Sequence, residues 1–164
     1  MTRGEIEQAL RAYPEKRARL EVLRLRQVEI EHMILELRAK IEDPSGVGAA
    51  KLDGMPRAKT VSNPVERQAI ICERDTEGIR ELQHELDLVQ TQAYDIGREV
   101  SAVEAWMTAL GERERFAVKA FYFDGLFWGT IRRRYEDEYR MPISDRRMKQ
   151  LRDRALEKMG RVSA

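Results

Sequence analysis

The sequence predicts an all-α fold. Long coiled-coil helices, folded back antiparallel or paired with a second copy, lead into a C-terminal helix-turn-helix. Three observations carry this expectation. Apolar residues recur at alternating spacings of three and four along two long stretches. Charged residues make up 36% of the chain, which suits exposed helices better than a compact sheet core. The five prolines and ten glycines cluster in a few places and do not punctuate a series of short strands.

Residues 1–42 form the first segment. Ile6, Ala9, Tyr13, Lys16, Leu20, Leu23, Gln27, Ile30, Ile34, Leu37 and Ile41 make a heptad seam. Pro14 fits poorly inside a helix, so a kink or a fresh helix start is expected there. Gln27 is a polar residue on the seam, placed either to fix register or to lie at its edge. Residues 43–63 read as a linker, because Asp43-Pro44-Ser45-Gly46-Val47-Gly48 and Asp53-Gly54-Met55-Pro56 suit no regular element.

Asn63-Pro64-Val65-Glu66 is a helix start, with Asn as cap, Pro in the first turn and Glu closing a capping box. From there residues 64–110 form one helix, roughly 70 Å long at 1.5 Å per residue. Its seam runs Ile79, Leu82, Leu86, Val89, Ala93, Ile96, Val100, Val103, Met107, Leu110 without a miss. A helix this long with so narrow an apolar stripe needs a helical partner. Trp106 lies just off the seam, placed to pack the coil against the C-terminal segment.

Residues 111–164 are the outward-looking segment. A first helix over 112–123 presents Phe116, Val118, Ala120, Phe121 and Phe123, and Asp124-Gly125 ends it. A second, from Leu126 to Tyr135 or a little beyond, uses Phe127, Trp128, Ile131 and Tyr135. Ser144 caps a third, whose inner face is Met148, Leu151, Ala155, Leu156 and Met159. What remains outside is basic. Arg146, Arg147, Lys149 and Gln150 are the candidates for base contacts, since Arg and Gln make paired hydrogen bonds to guanine and adenine edges. Arg132, Arg133, Arg134, Ser144, Arg152 and Arg154 are the candidates for phosphate contacts. The alternative is a solvated basic surface helix.

Charge is distributed to match. Of the 30 Lys/Arg and 29 Asp/Glu, residues 112–164 hold 14 and 9, which leaves 16 and 20 before them. The coils are therefore acidic and the last segment is basic, as a nucleic-acid-seeking segment should be.

Residues 112–164 resemble region four of bacterial sigma factors and its helix-turn-helix relatives. The likeness rests on Glu112-Arg113-Glu114-Arg115, Phe121-Tyr122-Phe123-Asp124-Gly125-Leu126, Trp128, Ile131, Ile143-Ser144 and Arg154-Ala155-Leu156-Glu157-Lys158-Met159. One departure stands out: residues 136–142 replace the usual short, glycine-bearing turn with a longer one that has no glycine. Met55-Pro56-Arg57, then Val61-Ser62-Asn63-Pro64 and a long helix, is similar to the front half of phage late-transcription activators of the RinA/ArpU group. That resemblance implies a sequence-specific activator binding double-stranded DNA, with host RNA polymerase as a partner of the sigma-like part. Homodimerisation is expected from the coils.

Other classes draw little from these residues. His32 and His84 each stand alone among glutamates, no His/Cys pair has zinc spacing, and no GxxxxGK[ST] loop occurs, so neither a catalytic site, a metal nor a cofactor is expected. The one cysteine, Cys72, fits a reducing compartment. No apolar run nears the ~20 residues that span a bilayer, and the first residues lack a signal-peptide core. A cytoplasmic protein of a bacterial host cell, without membrane attachment, is expected. Two competing readings remain: a phage small terminase subunit that packages DNA, and an adaptor that binds polymerase without touching DNA.

Overall fold

A computed structural model describes residues 1–42 and 64–163 of the chain. All regular structure among them is helical: α1 (Arg3–Glu42), α2 (Pro64–Thr108), α3 (Glu112–Val118) continued by a π-helical turn (Lys119–Phe123), α4 (Trp128–Tyr139) and α5 (Asp145–Val162). The expected linker, its Met55-Pro56-Arg57 motif and the Asn63 cap lie outside the described residues.

The all-α expectation therefore holds. α1 runs through Pro14 and does not restart there. Proline removes the hydrogen bond to the carbonyl four residues back, at a cost of about 3 kcal/mol in a helix interior. Packing offsets this locally, because the neighbouring Leu10 and Tyr13 are both buried. α2 begins at Pro64 as its sequence dictates, and it ends at Thr108 in a tighter turn, with Leu110 N–H donating to Met107 O at 3.3 Å.

The chain forms two compact units. One comprises Val22–Ala93. There Ile30, Ile34 and Val89 are buried, packed about by Leu23, Ile79, Leu82 and Leu86. Both predicted seams thus face inward. Arg26 pairs with Glu85 at 2.8 Å, and Leu37 lies against Gly78, so advancing along one helix retreats along the other and the pair is antiparallel. Gln27 is only half-buried and donates to Glu31 of its own helix at 3.0 Å, which places it at the seam's edge.

The other unit comprises Met1–Glu21 with Tyr94–Ala164. Its helical pair is also antiparallel: Tyr13 Oη donates to Glu104 at 3.0 Å, Lys16 pairs with Glu99, and Leu20 lies against Gly97. Val100, Val103, Met107 and Leu110 are buried as the seam predicts, and Trp106 is buried with them at 6% exposure. Leu10 is the surprise, fully buried although it lies off the seam. α1 has a second neighbour at this end: a methyl group on Gly160 of α5 would lie 3.7 Å from Ile6 Cδ1, and Phe123 stacks on Tyr13 at 4.6 Å.

In the same unit, α3–α5 close around Ala117, Ala120, Ile131, Tyr135 and Met148, with Phe116, Phe121, Leu126, Trp128, Tyr139, Ile143 and Leu151 against them. Two details depart from the sequence reading. The expected single helix over 112–123 changes to π geometry at Lys119, where Asp124 N–H donates to Lys119 O at 3.0 Å. α4 continues to Tyr139, so the turn before α5 is not residues 136–142 but the shorter 140–144. No glycine is needed because Arg140 itself takes the left-handed conformation, φ 52° and ψ 31°, that caps α4. The rings of Tyr135 and Tyr139 meet Phe116 at 5.6 and 5.8 Å, and this extra aromatic packing prolongs the helix past the acidic Glu136-Asp137-Glu138.

Candidate nucleic-acid interface

α5 is strongly two-sided. Ser144 caps it in extended geometry, its hydroxyl accepting from Arg147 N–H at 3.2 Å. Met148, Ala155, Leu156 and Met159 are buried as expected, and Leu151 packs against the core beside Met148. That leaves Arg146, Arg147, Lys149, Gln150 and Arg154 exposed. The Arg147 guanidinium donates to Gln150 Oε1 at 3.2 Å, and Lys149 Nζ hovers 5.9 Å from the centre of the Trp128 ring. None of the four cations makes an ion pair with a described residue. Their charge is free for a partner.

The remaining candidates are placed differently. Arg133 is exposed and without an ion pair to a described residue. Arg132 is half-buried between Glu136 at 3.8 Å and Asp145 at 3.5 Å, which ties α4 to the first turn of α5. Arg134 pairs with Asp124 at 3.3 Å. Arg152 turns back toward the core, its guanidinium carbon 5.4 Å from the centre of the Phe121 ring and 5.3 Å from that of Trp128. It also bonds Asp153 at 2.8 Å, and its side chain is only 20% exposed. The Ser144 hydroxyl is engaged by its cap. The structure thus gathers Arg146, Arg147, Lys149, Gln150 and Arg154 on one open face and sets Arg132, Arg134 and Arg152 in local pairings.

Two cations escaped the sequence reading. Arg161 is exposed and continues the stripe Gln150, Arg154, Glu157, Arg161 at spacings of four, three and four. Extending the outer-face period by one turn would have found it. Arg140 is exposed at the head of the turn, where nothing in the sequence marked it as left-handed.

Two acids support this arrangement. Glu114 is 8% exposed, and its carboxylate accepts from Gly111 N–H at 3.1 Å, closing the N-terminus of α3. The same Oε2 accepts from Lys158 of α5 at 2.7 Å. Asp153 lies beside the open face. Burial pushes its carboxyl up, but hydrogen bonds from Arg152 and Arg3 outweigh that and hold it below the usual carboxylate range. Tyr122, buried nearby, has its phenol pushed up by burial first and by the Glu7 charge second.

Among the described residues no group of His, Cys, Asp and Glu is arranged to hold a metal ion, and no helix is long and apolar enough to cross a membrane. No family model, curated protein or solved structure matches the chain.

Proposed function

We propose that this chain is a sequence-specific double-stranded DNA-binding transcriptional regulator, a late-gene activator of the RinA/ArpU kind acting in the bacterial cytoplasm. α5 enters the major groove and reads bases with Arg146, Arg147, Lys149 and Gln150. Arg133, Arg154 and Arg161 hold phosphates, and Arg132, Arg134 and Arg152 brace the helices that present them. The observation that supports this reading is the exposed cationic face of α5, where Arg146, Arg147, Lys149 and Arg154 make no ion pair with a described residue. Host RNA polymerase enters only through the sigma-like resemblance.

The regulator acts as a homodimer. In support, α1 keeps Val22, Leu25, Val28 and Leu35 more than half exposed on the side away from Ile30 and Ile34. Leu25, Val28, His32 and Leu35 follow the three–four rhythm of a second seam, which a parallel second copy would cover. In that register Arg24 of one copy faces Glu29 of the other, as flanking positions of a heptad do. Doubling the reader then raises the effective concentration of the second α5 at its half-site.

The test is selection of bound genomic fragments by the purified chain, followed by titration at several salt concentrations. Six phosphate contacts give a log–log slope of about −5. A flat response would favour the polymerase-binding adaptor. A solution mass of eight or more copies would favour the packaging subunit over the dimer.

A further inference from the structure

A bare carboxylate on a phosphate-seeking face is a liability, and α5 carries one there. Asp153 follows Gln150 by three residues and Lys149 by four, so its side chain neighbours theirs on the helix surface. It is not left bare. Its Oδ1 accepts from Arg152 Nη2 at 2.8 Å, from Arg152 Nε at 3.2 Å and from Arg3 Nη2 at 2.6 Å. Arg3 also donates through Nε to Glu7 at 3.1 Å, and Arg11 stands 4.0 Å from the other Glu7 oxygen. Charges therefore alternate along Arg11, Glu7, Arg3, Asp153 and Arg152, from the first turns of α1 to the edge of α5.

Arg152 bonds Asp153 from beside the rings of Phe121 and Trp128, and Arg3 is the second cation on that carboxylate, reaching it from α1. We propose that Arg3 is a positioning residue for DNA recognition. It holds Asp153 against α1 and, together with Arg152, offsets its charge, so that the edge of the reading face does not repel phosphate. This inference rests on the DNA-binding reading above. Without Arg3, Asp153 would keep only its bonds from Arg152, and Glu7 only the more distant Arg11.

The experiment is a double-mutant cycle on the full chain. Arg3→Ala, Asp153→Asn and the double variant are titrated with selected DNA at ~0.05 M salt. Thermal melts of each variant show that all are folded at the assay temperature. Arg3→Ala is expected to bind about two- to fivefold more weakly, the scale of one exposed charge pair. Arg3→Lys should recover most of the loss, and in the Asp153→Asn background Arg3→Ala should cost nothing further. Equal losses in both backgrounds, or no loss in either, would overturn the role of Arg3 while wild-type binding kept the functional reading intact. Absence of wild-type binding would remove both.

Discussion

Arg152 and Arg154 lie two residues apart on α5 and should fail in opposite ways. Arg152→Ala removes two ring contacts, each worth about 0.5–1 kcal/mol. It also removes an ion pair to a carboxylate that is 40% exposed, which solvent screening keeps below about 1 kcal/mol. The expected loss is about 1.5–2.5 kcal/mol, or a fall in Tm of roughly 4–8 °C for a chain of this size. DNA affinity measured well below the melt should change less than it does for Arg154→Ala. That second variant touches nothing in the fold, so its stability should stay within about 0.5 kcal/mol of wild type. As a phosphate contact, its loss should weaken binding alike on every sequence and flatten the salt slope by about 0.9. Thermal denaturation by circular dichroism and fluorescence anisotropy on labelled duplex give the two readouts. The assignment is refuted if Arg152→Ala melts with wild type and binds as poorly as Arg154→Ala.

Three further variants test the supporting contacts. Glu114→Ala opens the cap at Gly111, about 1 kcal/mol, and breaks the bond to the half-exposed Lys158, so about 2 kcal/mol of stability should go in urea titrations; a loss under about 0.5 kcal/mol would mean the carboxylate is dispensable. Arg140→Gly relieves a left-handed residue and should stabilise the fold by about 1 kcal/mol; destabilisation would show that the side chain contributes more than its backbone costs. Asp153 has a depressed folded pKa, so its contribution is complete above the unfolded value near 3.9 and fades as pH falls through the folded one. The stability gap between wild type and Asp153→Asn, read from melts at pH 7, 4 and 3, should therefore narrow toward acid. A gap independent of pH would contradict the pairing.

Helical periodicity is written in local spacing, which is why the α2 seam from Ile79 to Leu110 and the inner face of α5 were legible residue by residue. Burial from a second direction is not so written. Leu10 looks surplus to the α1 seam, yet it is fully buried one turn after Ile6, which α5 approaches at Gly160. The turn lies later than its composition suggests for a related reason: Glu136-Asp137-Glu138 looks like loop, yet packing of Tyr135 and Tyr139 on Phe116 carries the helix beyond it. Of the candidate site, exposure of Arg146, Arg147, Lys149, Gln150 and Arg154 followed from the period of the helix. The inward turn of Arg152 did not, because its partners Phe121 and Trp128 belong to other elements.

α5 also belongs to a larger body than its own segment. Val118, Tyr122, Leu156 and Met159 are buried, yet they lie outside the cluster around Ile131. Gly160 against Ile6 and Phe123 against Tyr13 indicate that this side of the segment is covered by the first turns of α1. A fragment of residues 111–164 would expose those four side chains, at about 1.5–3 kcal/mol each. Their sum, roughly 6–12 kcal/mol, matches the whole stability of a typical domain. The fragment should therefore show a weak, non-cooperative melt and reduced helicity, while a chain retaining residues 1–21 and 94–164 across a short linker should melt cooperatively. If residues 111–164 alone melt as sharply as the full chain, α1 does not brace α5, and the route from Arg3 to Asp153 loses its structural basis.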